Sequence, residues 1–255
     1  MSIENENKLN QLLQRSNQGG LLFSSWLKGN GYSDQLVKKY RDSGWLSALS
    51  KGVMYRTGDK LNSFAVLESY NGQLNKNCHI AAHSALELSG FNHYVPMGKP
   101  LLVVSHPVKE PIPLWMKCGE FDRTLKFFST ETFLKQQRTS FNLDYPHLSA
   151  SVPEQAFLEC LLLAPKQYTY MDLYYIMEQL TTLRPDIMQD LLENTDSLKV
   201  KRMFLYMAEK AGHYWFDSLD TNKIKLGTSK LQLVENGTYI PKYKITVPKE
   251  LYEYE

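Results

Sequence analysis

Residues 31–59, GYSDQLVKKYRDSGWLSALSKGVMYRTGD, change their hydrophobic period part-way along, and few folds accommodate that change. From Asp34 to Asp42 the apolar residues Leu36, Val37 and Tyr40 recur at helical spacing. Ser33 stands where an N-cap belongs, and Gly44 ends the run. Trp45-Leu46 and Val53-Met54-Tyr55 then flank a Ser-Lys-Gly turn, the pattern of a β-hairpin. A nine-residue helix feeding directly into a tight hairpin leaves little room for intervening structure.

The residues upstream complete the pattern. Leu9, Leu12 and Leu13 predict a first helix over 5–16, closed by Gly19-Gly20. LLFSSWLKGN predicts a short second helix with Ser24 or Ser25 as N-cap, broken at Gly29 and Gly31. The expected order is three helices, a strand, a turn and a strand within sixty residues. Further along, helices are expected over 62–73 and 78–89, a strand over 101–105 among five prolines, and more strands in GEFDRTLKFFST. A helical block follows at 153–163, 170–181, 185–193 and 198–211. The tail alternates around an Asn236-Gly237 turn and is expected to form strands.

On a 100° helical wheel the 34–42 segment separates cleanly. Leu36, Val37 and Tyr40 share one arc; Gln35, Lys38, Lys39 and Asp42 share the opposite one, with Arg41 on the flank. A helix fits the B-DNA major groove, where Lys donates to guanine and Gln pairs with adenine. The hairpin brings Ser50, Lys51 and Arg56 to positions suited to phosphates or the minor groove. Ser33, Gln35, Lys38, Lys39, Arg41, Ser50, Lys51 and Arg56 are therefore the expected DNA-binding residues. Residues 1–60 hold nine Lys plus Arg against five Asp plus Glu, a net of +4 on a chain whose total is +2. That is the sign a DNA-binding head requires. Asp34 and Asp42 act against it, and a solvated helix face carrying lysines is the competing reading.

Composition excludes other classes. The chain is 43% hydrophobic and 22% charged over 255 residues, which is a folded, soluble composition. MSIENENKLNQ is polar and acidic, unlike a signal peptide, and no apolar run reaches membrane-spanning length. Cys78, Cys118 and Cys160 are odd in number and scattered, which fits a reducing cytoplasm rather than a disulfide or zinc framework.

The segment GLLFSSWLKGNGYSDQLVKKYRDSGWLSALSKGVMYRTGD resembles the winged-helix N-terminal domain of AbiEi-type antitoxins of bacterial type IV toxin–antitoxin, or abortive-infection, systems. Ser43–Leu46 and Gly52–Arg56 carry the match. HIAAHSALELSG is similar to the family's linking helix; SVPEQAFLE, LKVKRMFLYMAE, HYWFDSLD and YIPKYKITVP are similar to its C-terminal domain. The pattern of the family around 226–237 is more basic; this chain keeps Gly227 and Lys230. The resemblance implies an autorepressor that binds double-stranded operator DNA. It also implies counteraction of an AbiEii-like nucleotidyltransferase toxin without a stable complex. The expected fold class is α+β, with a winged helix-turn-helix domain over 1–92 and a larger mixed α/β antitoxin domain over 93–255.

Residues 199–230 carry seven Lys plus Arg against three Asp plus Glu. Lys199, Lys201, Arg202, Lys223, Lys225 and Lys230 form either a second basic surface for nucleic acid or nucleotide, or a solvated helix face with strand-edge lysines. Tyr214, Trp215 and Phe216 suit base stacking or, more simply, core packing. His79 and His83 stand four apart on an expected helix, but no third metal ligand accompanies them. Asp217 and Asp220 read as a turn. No Gly-Lys-Ser/Thr phosphate loop or Gly-x-Gly-x-x-Gly is present. The expectation is a non-enzyme without metal or cofactor. The alternatives are an enzyme or toxin-modulating protein acting on a nucleotide or on the toxin, or a module that sequesters the toxin.

Overall fold

The computed structural model describes residues 3–91 and 98–255. Two compact units emerge. The first comprises Met1–Ile80, Pro96–Ser129 and Ser140–Ser149; the second comprises Ala81–Val95, Thr130–Thr139 and Ala150–Glu255. The boundary expected at 92/93 lies outside the described residues.

The first unit opens with a winged helix-turn-helix. Its elements are α1 (Ile3–Arg15), β1 (Leu22–Phe23), α2 (Ser24–Gly29), α3 (Asp34–Asp42), β2 (Leu46–Ser50) and β3 (Val53–Arg56). The three strands pair antiparallel in the order β1-β3-β2. Leu9, Leu12, Leu22, Leu27, Tyr32, Val37, Tyr40, Leu46 and Met54 form one buried cluster. Each such side chain contributes about 2 kcal/mol when fully covered. Neither Ser24 nor Ser25 caps α2: Phe23 is the N-cap residue and no side chain accepts there. Those serines lie inside the helix because strand pairing of Leu22 and Phe23 fixes where the turn must begin.

Strand β1 goes beyond the expected order, since two residues give no period to read. Side chains support its other edge. Gln73 of α4 (Ser63–Leu74) donates to Leu21 O at 2.7 Å and accepts from Phe23 N at 3.0 Å, and Ser69 Oγ accepts from Leu21 N at 3.0 Å. These groups satisfy backbone that a third ladder would otherwise pair.

A five-stranded sheet follows in the order β6-β5-β4-β8-β7. Its strands are β4 (His79–Ile80), β5 (Leu101–Ser105), β6 (Thr124–Phe128), β7 (Arg138–Asn142) and β8 (Tyr145–Ser151). The β5–β6 pair is parallel, bridged by α6 (Leu114–Cys118). The helix expected over 78–89 is corrected: His79 and Ile80 pair with Ser105 and Val104, and α5 runs only from Ala82 to Leu88.

The second unit is built on α7 (Pro153–Leu163), in which Glu154 through Leu161 are all buried. Around it pack α5, α8 (Tyr170–Gln179), α9 (Pro185–Glu193) and α10 (Leu198–Ala211). The chain ends in a 3₁₀ turn (Tyr214–Ser218), then β9 (Leu231–Gln232), β10 (Thr238–Ile240), β11 (Ile245–Val247) and α11 (Lys249–Glu253). These last strands form a small sheet in the order β10-β11-β9.

Polar groups buried along α7 are satisfied in place. Glu154 accepts from Arg184 through N, Nε and Nη2 at 2.8 to 3.0 Å. Glu159 accepts from Ala82 N at 2.8 Å, Ser151 Oγ at 2.9 Å and Gln155 Nε2 at 2.7 Å. Ala82 sits at φ 50°, a left-handed conformation costing about 1–2 kcal/mol, and the Glu159 carboxylate holds its N–H there. Glu159→Ala removes three hydrogen bonds at once. It is expected to lower unfolding free energy by roughly 3 kcal/mol in a denaturant titration; a drop under about 1 kcal/mol would contradict this role.

Candidate nucleic-acid interface

The geometry of α3 begins with its cap. Ser33 is extended at φ −65° and ψ 154°, and its Oγ accepts from Leu36 N at 3.3 Å. Asp34 places a carboxylate in the first turn, where the helix dipole favours it, while Lys39 and Arg41 occupy the last turn. Val37 and Tyr40 are buried, Tyr40 completely, and Leu36 is half-buried against the same cluster. Burial also raises the Tyr40 phenol pKa, with Tyr32 beside it adding to the effect. The apolar arc is thus pinned inward. Ser33, Gln35, Lys38, Lys39, Arg41 and Asp42 are exposed.

Hairpin residues distribute differently from the helix residues. Lys51 and Gly52 form the tip, where Ser50 opposes Val53; Gly52 adopts φ 76°, which the tight turn requires. Gly52 O accepts from Ser24 N at 2.9 Å, so the tip lies at the start of α2. Lys51 is exposed there and Ser50 is half-buried. Arg56 lies at the other end of β3, opposite Leu46, about 10 Å along the strand from Val53. By strand alternation it shares the face of Met54, the helix-packed side, and it is exposed at that end. Lys51 and Arg56 therefore flank the sheet from opposite ends instead of forming one cluster.

Trp45 is a residue the charge pattern does not single out. It joins α3 to β2, its backbone N–H donates to Tyr40 O at 2.9 Å, and the residue is 42% exposed. The signal in the sequence is its place one residue before the inward Leu46, which sends it outward by alternation.

The second basic surface needs correction at three of its six positions. Arg202 is 0% exposed: Nε donates to Leu226 O at 2.8 Å, and Nη1 donates to Ser229 O at 2.8 Å and Lys244 O at 2.9 Å. Lys201 is 4% exposed and donates to Lys225 O at 3.4 Å; desolvation lowers its pKa. Lys199 donates to Leu162 O at 2.8 Å and Ala164 O at 2.6 Å, capping the last carbonyls of α7. Burial, then neighbouring Lys166, lowers its pKa. The cause is that α10 is covered on every side from Val200 to Ala208, leaving no solvated face. Lys223, Lys225 and Lys230 are exposed, with Lys223 paired to Asp220 at 3.2 Å.

Other candidate residues fall to packing. Trp215 is 1% exposed, donates to Leu180 O at 2.8 Å and stacks on His213 at 5.1 Å, while Tyr214 is exposed and Phe216 half-buried. His79 lies in β4 and His83 in α5, so they do not share a helix face. His83 stacks on Tyr168 at 6.2 Å, and burial lowers its pKa. Asp217 is exposed and Asp220 closes a turn. No group of three His, Cys, Asp or Glu among the described residues could hold a metal ion. An open cleft lined by Asn17, Gln18, Asp59, Lys60, Asp144 and Tyr145 holds two carboxylates; Asp59 accepts from Gly19 N at 3.0 Å, and Asp144 is exposed.

Comparison with known proteins places this geometry. Residues 5–97 match the model of the transcriptional regulator, AbiEi antitoxin N-terminal domain. Residues 99–248 match the model of the transcriptional regulator, AbiEi antitoxin, type IV toxin–antitoxin system. The chain belongs to the AbiEi family. Among solved structures, this AbiEi chain is similar to the RV2827C protein of Mycobacterium tuberculosis. The TM-score is 0.63 at 15% identity, covering 94% of this chain and 89% of that one, which is a likeness of fold. No curated protein sequence matches. The AbiEi match makes the chain a transcriptional regulator and antitoxin by family, with an α+β fold led by a winged helix. Among the described residues no helix is long and apolar enough to cross a membrane.

Because Lys38 and Lys39 make no contribution to the core, Lys38→Ala with Lys39→Ala is expected to change stability by under about 0.5 kcal/mol. Ser33→Ala is expected to cost about 1 kcal/mol through removal of the cap. Equilibrium unfolding of the two variants separates surface from scaffold; equal destabilisation would show that the lysines also support the fold.

Proposed function

We propose that this AbiEi chain binds operator DNA through α3 and the β2–β3 wing, and represses its own operon. In this reading residues 1–92 are the DNA-binding head. Gln35, Lys38 and Lys39 approach base edges in the major groove, while Ser33, Ser50, Lys51, Arg41 and Arg56 hold the backbone. The observation that carries the reading is the division of α3: Val37 and Tyr40 buried, and Gln35, Lys38 and Lys39 exposed on the opposite arc. The hairpin carrying the wing packs against α3 in the same core, through Leu46 and Met54 with Tyr40, which supports the reading.

Residues 93–255 are the antitoxin part in the same proposal, acting in the cytoplasm and without catalysis of their own. They counteract a nucleotidyltransferase-like AbiEii toxin without forming a lasting complex with it. Family membership supports the role of antitoxin.

A gel-shift titration against the chain's own promoter, repeated at several salt concentrations, tests operator binding. The double variant Lys38→Ala, Lys39→Ala is expected to bind more weakly and to reduce the log–log salt slope by about 1 for each phosphate it no longer neutralises. Unchanged affinity and slope would exclude this face as the DNA-binding surface.

A further inference from the structure

The buried guanidinium of Arg202 has an organising effect on the loop it faces. Its donors go to the carbonyls of Leu226, Ser229 and Lys244, and the Lys201 ammonium goes to Lys225 O. No carboxylate pairs with Arg202 among the described residues, so carbonyl dipoles alone offset a charge that is 0% exposed. The peptide bonds here are trans, and in a trans peptide the N–H points opposite to the preceding C=O. The inward carbonyls of Lys225, Leu226 and Ser229 therefore turn three amides outward: those of Leu226, Gly227 and Lys230. None of these amides donates to a protein acceptor among the described residues.

Around them the loop is polar and open. Lys225, Gly227, Thr228, Ser229 and Lys230 are all exposed. Gly227 adopts φ 70°, and a Cβ there would lie 3.0 Å from Leu198 Cδ1 and 3.4 Å from Arg202 Nη2, directed into the unit. Its outward side is bare backbone. Outward amides, two hydroxyls, two exposed lysines and a cation with no carboxylate partner beneath them favour an oxyanion.

We propose that residues 225–230 bind the phosphate groups of a small molecule, in particular a nucleotide. A duplex backbone asks for a stripe of cations. Here Lys223 is already paired with Asp220, which leaves Lys225 and Lys230 as the exposed cations within the 225–230 loop itself. Tyr239, 37% exposed with Lys230 Nζ 5.0 Å over its ring, supplies an aromatic surface beside Lys230 for a base. This site is separate from the operator reading, since it involves none of α3 or the wing.

The test uses the full ¹⁵N-labelled chain and inorganic pyrophosphate as probe, with sodium chloride at matched ionic strength as reference. Pyrophosphate is expected to move the amide signals of Leu226, Gly227 and Lys230 saturably, while chloride leaves them in place. Lys225→Ala and Lys230→Ala, both exposed changes, are each expected to weaken binding about fivefold. A nucleoside triphosphate binding more tightly than pyrophosphate identifies a nucleotide; equal affinity identifies free phosphates as the source, and either result supports the site. The proposal is overturned if these amides stay still, if chloride moves them equally, or if promoter duplex moves them where pyrophosphate does not.

Discussion

Burial of Tyr40 and Val37 is the constraint on which the rest depends. These two side chains anchor α3 in a cluster with Leu9, Leu12, Leu27 and Met54, contributed by α1, α2 and β3. Fixing one face of a nine-residue helix fixes the other. Among the described residues the polar arc of α3 has no partner in its own domain, and Lys38 and Lys39 stand in solvent outside the core. A stable core coexists with exposed charge here because the two faces separate completely along the helix. Strand pairing of β1 with β3, supported from the far edge by Gln73 and Ser69, ties the wing into the same core.

Much of this is legible in the sequence because the signals are local. Ser33 caps where the sequence places it, α3 runs over the expected 34–42, and α9 and α10 keep their expected bounds. Each of these helices has its start fixed by a serine or a proline, and in α3 and α9 an apolar period also fixes the buried face. What the sequence conceals is set by partners distant in the chain. Strand β4 exists because His79 and Ile80 pair with residues more than twenty positions away, which overrides the helical pattern that begins at Ala82. Strand β8 is hidden for the same reason, since it lies beside β4; β7 is an edge strand beside β8 alone, a local hairpin whose weak alternation gives no period to read.

The charge count over 199–230 shows the limit most clearly. It treats Arg202 as surface because Arg is usually there. The acceptors that bury it, Leu226 O, Ser229 O and Lys244 O, lie 24, 27 and 42 residues further on, and nothing in the local pattern announces them. Its role moves from recognition to support. Arg202 and Lys201 hold the loop from beneath, while Lys223, Lys225 and Lys230 on the outer side meet solvent. The resemblance to AbiEi antitoxins and the fold shared with the RV2827C protein fit both parts of the chain.

Lysine amine footprinting tests the central claim most directly. The chain is acetylated with limiting reagent, free and with saturating promoter duplex, and each lysine is read by mass spectrometry. The account predicts strong, saturable protection of Lys38, Lys39 and Lys51, with Lys109, Lys117 and Lys249 unchanged. Equal reactivity of Lys38 and Lys39 with and without a bound duplex would contradict it.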